Sequence, residues 1–194
     1  TMKIQRYILF ALAFLLGVNA FGQSSADAKK VLDNAAAIVG RRGGAAANFS
    51  ITGGEMGRTS GSIAIKNNKF KAVTPETTIW FDGKTQWAYM KNTNEVNIST
   101  PNEAQRLSMN PYAFITMYKS GYRLSMKTTT DSYIVHLQAI HPARSMQEFY
   151  VTVSKAYYPQ QIKMLQGKKW VTINISNFRT ASQANSNFRF KHSD

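Results

Sequence analysis

The three histidines are the first side chains to consider for metal binding or acid–base chemistry. His136 lies within an alternating run, His141 precedes Pro142, and His192 belongs to the C-terminal tail. A metal site built from His136, His141 and Glu148 is conceivable, but this spacing matches no known ligand motif. Five residues along a strand and a turn do not reliably bring two imidazoles together. We therefore predict no metal site and expect His136 to be solvent-facing or hydrogen-bonded.

Other catalytic patterns are not found in the sequence either. There is no cysteine nucleophile and no G-x-S-x-G motif, and the ten carboxylates are spread along the chain without a close pair. The glycines of ITGGEMGRTSG lack the following Lys-Ser/Thr of a phosphate-binding loop and indicate a flexible hairpin loop. We predict a protein that is not an enzyme, with no catalytic residues and no cofactor. An envelope hydrolase that uses a histidine is the disfavoured alternative.

The N-terminal segment has the organisation of a secretory signal. Lys3 and Arg6 supply positive charge before an apolar run over residues 8–18. That run is well short of the roughly 20 residues needed to span a bilayer. Small residues at 20 and 22 predict cleavage after Gly22, so residues 1–22 are a predicted signal peptide. Residues 23–194 would then form one exported domain, whose stability depends on its core because it has no disulfide.

The predicted mature chain is strongly basic. The full sequence has 24 basic and 10 acidic residues, and without Lys3 and Arg6 the balance is 22 to 10, a net charge of +12. Export and the scattering of the lysines at alternate strand positions argue against a nucleic-acid partner. We favour a solvated outer face. Attraction to anionic lipid headgroups or to acidic partners in the envelope is the alternative.

Hydrophobic periodicity predicts one domain of mixed helix and strand. Apolar residues at helical spacing predict an amphipathic helix over residues 26–39, and a second helical segment over about 101–119 contains the helix-start signal Asn110-Pro111. Period-two alternation predicts strands near 122–127, 132–140, 147–154, 160–166 and 169–178. Short connections imply antiparallel pairing. The two helical segments are the candidates to cover the apolar face of the sheet, and a short edge strand through Phe188 and Phe190 is also expected.

Residues 80–90, WFDGKTQWAYM, predict a hairpin with an unusual amount of aromatic surface. A two-residue turn at Asp82-Gly83 would set the two faces of this hairpin. One face would hold Trp80, Trp87 and Tyr89, and the other Phe81, Ala88 and Met90. A three-residue loop with a bulge would change that pairing.

The order of these motifs resembles the LolA-type outer-membrane lipoprotein carriers of the periplasm. The similar stretches are GSIAIKNNKFK at 61–71 with Phe70, Pro75, the D-G-K-x-x-W-x-Y pattern at 82–89, Asn110-Pro111, and Gly167 before VTINISNF. The resemblance implies a single open, half-closed antiparallel β-barrel with helices covering its concave apolar face. It also implies acylated lipoproteins as cargo, an inner-membrane lipoprotein-releasing transporter and an outer-membrane acceptor as partners, and a monomer.

The sequence departs from the family at two positions. Lys66-Asn67 stands where the family has arginine-proline, and Ala72 stands where it has tryptophan. Lysine keeps the positive charge but cannot form the forked hydrogen bonds of arginine. Lys66 is therefore a candidate lid or handover position whose mechanism could differ from that of the relatives.

The hypothesis is that acyl chains lie between the sheet and a lid formed by both helical segments. The predicted cavity residues are Ile63, Ile65, Phe70, Trp87, Leu107, Phe114, Met117, Val135, Leu137, Phe149, Val151, Val171 and Ile173. Alternatives are a related binder or sensor of other lipids or hydrophobic ligands in the cell envelope, and an adhesion domain with a filled core.

Overall fold

The structure, a computed structural model, describes residues 24–54, 57–102, 105–106, 110, 112–113 and 117–191. Its elements are one helix of 15 residues, α1 (Ser25–Val39), and a large sheet. The strands are β1 (Ala45–Gly53), β2 (Arg58–Lys66), β3 (Lys69–Val73), β4 (Thr77–Phe81), β5 (Gln86–Met90), β6 (Glu95–Ser99), β7 (Tyr122–Thr128), β8 (Ser132–Ala139), β9 (Glu148–Ser154), β10 (Pro159–Gln166) and β11 (Lys169–Thr180). None of the helices in this part of the chain is long and apolar enough to cross a membrane.

The sheet is antiparallel and open. Its order is β6-β5-β4-β3-β2-β1-β11-β10-β9-β8-β7, so the first strand lies in the middle, between β2 and β11. The register shifts between Ala46 and Asn48 and between Pro159 and Gln161. Such bulges bend strands and increase their twist, which curves the sheet. The predicted class, an open antiparallel half-barrel with a covering helix, is confirmed.

Helix α1 forms where the sequence predicts it. The Ser24 side chain caps its first turn by accepting the main-chain N–H of Asp27 at 3.2 Å, and the helix ends at Gly40. Its apolar residues fall on one stripe, which packs against β7 and β8. The buried residues of that stripe are Ala28, Val31, Leu32, Ala35 and Val39.

The face of the sheet under α1 carries buried apolar residues on nine strands, and we call it the concave face. In each strand every second residue points to this face, and the register aligns these residues from strand to strand. Val135, Val151 and Ile162, for example, lie side by side on β8, β9 and β10. Its other main residues are Ala47, Phe49, Ile63, Ile65, Phe70, Ala72, Phe81, Leu124, Met126, Leu137, Phe149, Met164, Val171 and Ile173.

The predicted helical segment 101–119 lies partly outside the described residues. Its described main-chain hydrogen bonds are helical, running from Arg106 N–H to Asn102 and from Met117 N–H to Ala113. The Asn110 side chain accepts the N–H of Tyr112 at 3.0 Å, as expected of a helix cap. Tyr112, Met117 and Tyr118 are buried. We refer to α1 and residues 101–119 together as the cover.

A second apolar cluster lies on the opposite face of β3, β4 and β5. The C-terminal residues 181–191 cross this face and include a short 3-10 helix, Asn185–Phe188. Phe188 is completely buried there, and Phe190 packs edge-on against Trp80 with 5.4 Å between ring centroids. We call Trp80, Trp87, Phe188 and Phe190 the outer core. The expected edge strand through Phe188 and Phe190 was therefore wrong, because aromatic burial holds this segment flat on the sheet.

Candidate ligand-binding face and its cover

The buried core contains ten of the thirteen residues predicted to line the cavity, nine on the concave face and Met117 on the cover. They are buried in one cluster that also contains the apolar stripe of α1. These residues are Ile63, Ile65, Phe70, Met117, Val135, Leu137, Phe149, Val151, Val171 and Ile173. Leu107 and Phe114, which were also predicted, lie outside the described residues.

Trp87 does not belong to the concave face, so its predicted place in the cavity was wrong. It pairs directly with Trp80, whose neighbour on β3 is Lys71, on the outer face. Trp87 contributes to the outer core, where the Arg189 guanidinium lies 5.8 Å from its ring centroid. Alternation shows which residues share a face but not which face is inward. At β4 and β5 both faces are partly apolar, so the choice was open.

The hairpin loop also differs from the predicted two-residue turn. Phe81 pairs with Gln86, so the loop has four residues, Asp82 to Thr85. Asp82 Oδ1 accepts the N–H groups of Lys84 and Thr85 at 3.0 and 2.8 Å. Burial acts to raise the pKa of Asp82, but these hydrogen bonds outweigh it and lower that pKa. The predicted grouping of residues by face still holds, because a four-residue loop shifts the pairing by two.

Sequence reasoning missed several residues of the concave face. They are Phe49, Phe81, Leu124, Met126, Ile162 and Met164, all buried. The alternation in YRLSMKT of β7 and in PQQIKMLQ of β10 carried the signal for four of them. Phe49 and Phe81 could be assigned only once the register of β1 and β4 was known.

A hydrogen bond between Tyr118 and Asp33 joins the two parts of the cover. The Tyr118 hydroxyl donates to Asp33 Oδ1 at 2.5 Å, and the Lys29 ammonium donates to Oδ2 of the same carboxylate at 2.8 Å. Hydrogen bonds from Lys29 and then Tyr118 lower the pKa of Asp33. Burial and the Asp33 carboxylate raise the pKa of Tyr118. The phenol therefore stays protonated and remains a donor at neutral pH.

A pocket of about 480 Å³ opens beside this hydrogen bond. The C-terminal half of α1, the β2–β3 turn and the end of the cover surround it. Its lining residues are Asp33, Ala36, Ala37, Gly40, Asn67, Asn68, Tyr118 and Lys119. The pocket thus lies between the cover and the β2–β3 turn. Its wall combines polar side chains with the apolar surface of α1.

Tyr112 places a polar group within the apolar space. Its side chain is 1% exposed, and its ring packs edge-on against Phe178 with 6.0 Å between centroids. Its hydroxyl has no hydrogen-bond partner among the described residues. Burial raises the pKa of Tyr112, so the group is a neutral donor. A buried hydroxyl without a partner is costly and is suited to meeting a polar atom of a ligand.

Lys66 contacts the C-terminal segment. Its ammonium donates to the main-chain oxygen of Gln183 at 2.7 Å. Ala181 and Gln183 donate their N–H groups to Gly44 and Gly43, so this segment is fixed at two further points. The contact that the structure gives Lys66 is therefore to residues 181–191 on the outer face.

The histidines are not assembled into a catalytic or metal-binding group within the described residues. His136 Nε2 lies 2.8 Å from Glu148 Oε1, and its ring stacks on Tyr150 with 4.4 Å between centroids. His141 Nδ1 accepts the N–H of Ala143 at 3.1 Å. His136 is hydrogen-bonded, as the sequence led us to expect, and His192 lies outside the described residues.

Comparison with protein families shows the family of the chain. The family described as outer membrane lipoprotein carrier protein LolA matches residues 18–168. The chain belongs to this family. The match covers the concave face up to β10 and both parts of the cover, and it ends before β11 and residues 181–191.

Solved structures of similar form come from several bacteria. A LolA superfamily protein from Nitrosomonas europaea is 12% identical, with a TM-score of 0.48, and the match covers 84% of this chain and 97% of that one. A putative outer membrane lipoprotein-sorting protein domain from Vibrio parahaemolyticus is 11% identical, with the same score and coverage. The Mycobacterium tuberculosis lipoprotein LppX is 8% identical over 81% of this chain and 96% of that one, with a TM-score of 0.48. A search of curated protein sequences found no match.

Proposed function

We propose that this protein is a periplasmic carrier that binds the acyl chains of lipoproteins between the concave face and the cover. In this function it would take cargo from an inner-membrane releasing transporter and deliver it to an outer-membrane acceptor. Residues 1–22 would direct export and would then be cleaved. The observation that carries the proposal is a continuous apolar face across most of an open sheet, covered by one helix and a short helical segment.

The energetics of an acyl chain fit such a face. Burying one methylene group contributes about 0.8 kcal/mol, so a fourteen-carbon chain requires on the order of 10 kcal/mol of apolar contact. The concave face supplies aliphatic and aromatic side chains in contiguous rows. A bound chain would replace contacts that the cover makes in the closed state, so cover and cargo compete for one surface. Binding and release can then both occur without a chemical step.

Tyr112 could bind an ester or amide group of the ligand near its acyl chain. Its buried hydroxyl can donate to a carbonyl oxygen that links the chain to its carrier, and it lies against Phe178 at the edge of the apolar cluster. A Tyr112→Phe variant removes this donor without changing the apolar shape. We expect it to be at least as stable as the parent protein, because an unpaired buried hydroxyl is removed, and to bind acyl esters less tightly. The parent protein and the variant are each tested with an acyl ester and with an alkane of the same length. If both proteins bind the ester no more tightly than the alkane, this role is contradicted.

Ligand capture tests the proposed function directly. The protein is co-expressed with an acylated lipoprotein and purified, and extracted ligands are identified by mass spectrometry. We expect the lipoprotein to co-purify and a fluorescent fatty acid to be displaced by it. The absence of both would overturn the proposal. Recovery of a free lipid in place of a lipoprotein would support a binder or sensor of other hydrophobic ligands.

Two adjacent residues on β4 localise the ligand. Phe81 points to the concave face and Trp80 to the outer core, and both are buried. A photo-crosslinking phenylalanine analogue at position 81 is expected to attach to the cargo, whereas the same analogue at position 80 is expected to attach only within the protein. Cargo crosslinks from position 80 alone would place the ligand on the wrong face and contradict the proposal.

A further inference from the structure

The outer face of the sheet carries a basic surface at the end of β10 and β11. Residues 149–191 contain seven lysines and arginines and no acidic residue. Three of these lysines, Lys163, Lys168 and Lys169, belong to the β10–β11 hairpin, and all three are exposed. Gln166 pairs with Lys169, so Gly167 and Lys168 form a two-residue turn at the tip. The positive φ of Gly167, 60°, suits the first position of such a turn.

The neighbouring strands extend this charge across the sheet. Lys163 pairs with Thr172, Thr172 with Thr52, and Thr52 with Arg58, so these residues form one row on the outer face. Arg58 is exposed as well. On the adjacent strand β9, Glu148 Oε1 lies 2.8 Å from His136 Nε2, within hydrogen-bonding distance. We call Arg58, Lys163, Lys168, Lys169 and Trp170 the basic patch.

Trp170 gives the basic patch an amphipathic centre. Its side chain is 37% exposed, whereas Trp80 and Trp87 are buried. The Lys163 ammonium lies 5.0 Å from its ring centroid, and the Tyr150 ring lies 5.8 Å away. These contacts fix an indole ring at the surface among lysines. Indole rings of this kind prefer the headgroup level of a bilayer, and lysines nearby are attracted to anionic lipids.

We infer that the basic patch docks the protein on an anionic lipid surface. Charge complementarity selects this partner, because the patch combines an exposed tryptophan with lysines that form no ion pair among the described residues. Arg58, Lys163 and Trp170 lie on the face opposite the acyl-chain site, and Lys168 and Lys169 lie at the hairpin tip, where Lys169 alternates to the side of Val171. Docking through the outer face and this tip would leave the cover free to move. The inference goes beyond the proposed carrier function and does not depend on it.

Vesicle binding with charge-matched variants tests the inference. Mass spectrometry first determines the N-terminal residue of the purified protein. The protein is then sedimented with vesicles of phosphatidylglycerol and phosphatidylcholine, or with vesicles of phosphatidylcholine alone. We expect binding to the anionic vesicles only, weakening with salt. The triple variant Lys163→Gln, Lys168→Gln, Lys169→Gln should lose on the order of a hundredfold in affinity. The control Lys30→Gln, Lys84→Gln, Lys127→Gln has the same net charge and should lose no more than about threefold.

Tryptophan emission provides a second readout. With anionic vesicles the emission should shift to the blue, and the shift should disappear in Trp170→Phe because the other two tryptophans are buried. Equal losses in the two triple variants, no binding by the parent protein, or a shift that persists in Trp170→Phe would each overturn the inference. Binding of a fluorescent fatty acid, measured on the same variants, is expected to be unchanged and reports separately on the carrier function.

Discussion

The concave face and the outer core are both buried, but their coverings are attached differently. Over the outer core, main-chain hydrogen bonds from Ala181 and Gln183 and the Lys66 ammonium fix the C-terminal segment. Over the concave face, the hydrogen bond from Tyr118 to Asp33 joins the two parts of the cover to each other and not to the sheet. The first covering is bound to the sheet through its backbone, whereas the second lies on the sheet through apolar contacts.

This difference separates a structural core from a ligand site more clearly than burial does. Phe188 and Val151 are both fully buried. An apolar ligand can replace apolar contacts of a cover without leaving polar groups unpaired. Lifting the C-terminal segment would break hydrogen bonds that a lipid cannot replace. We therefore expect ligands to displace the cover and to leave the outer core intact.

The largest expected effect comes from truncating one residue on each face. Phe188→Ala should lower the free energy of unfolding by about 3–5 kcal/mol and Leu137→Ala by about 2–5 kcal/mol, because each leaves a cavity. Denaturant unfolding with and without a fatty acid distinguishes them. The ligand should recover more stability in Leu137→Ala, where it can fill the cavity. Equal recovery in both variants would contradict the assignment of the two faces.

Replacing Lys66 with methionine should have a smaller effect. The variant loses a charge-assisted hydrogen bond to Gln183, so its free energy of unfolding should be lower by about 1–2 kcal/mol. Fatty-acid affinity and release rate should not change, because the bond holds the C-terminal segment. A faster or slower release, measured by stopped-flow fluorescence, would instead place Lys66 in the handover of cargo.

Tyr118→Phe should weaken the closed state of the cover. Asp33 is about half exposed, so the lost hydrogen bond is expected to be worth about 1 kcal/mol. Opening then costs less, and a fluorescent fatty acid should bind about fivefold more tightly. Weaker binding in the variant would show that the hydroxyl supports the ligand and does not restrain the cover.

The effect of Tyr118→Phe should also depend on pH. The pKa of Asp33 lies below 3.8 in the folded protein, so its stabilising contribution is complete above about pH 3.8 and is lost as the pH falls through the folded-state pKa. The difference in affinity between the parent protein and the variant should be constant from neutral pH to that point and should shrink below it. A difference that changes near pH 6 would implicate another group.

Lys29→Gln should have the smallest effect and is the control for Tyr118→Phe. Lys29 binds the same carboxylate at 2.8 Å, but its side chain is 55% exposed. We expect a loss of about 0.5 kcal/mol or less and less than a twofold change in ligand affinity. A larger effect on affinity would show that the charge on Asp33, and not its bond to Tyr118, controls the cover.

Much of the fold could be predicted because it depends on local patterns. Helix α1 was placed by apolar spacing and the strands from β7 to β11 by alternation, and the concave residues of β8 and β9 were correctly grouped. The faces of β4 and β5 could not be chosen this way, as Trp87 shows. The guanidinium of Arg189, which is distant in sequence and carries no periodic signal, lies over its ring.

The sequence by itself determined which side chains share a face and that no recognisable catalytic set accompanies them. The tertiary structure decided which face is inward, because that depends on where the cover and the C-terminal segment pack. It also paired Tyr118 with Asp33, 85 positions apart, and gathered Arg58 with the lysines of β10 and β11. Local periodicity is set by backbone geometry, whereas such pairings exist only after the strands have found their register.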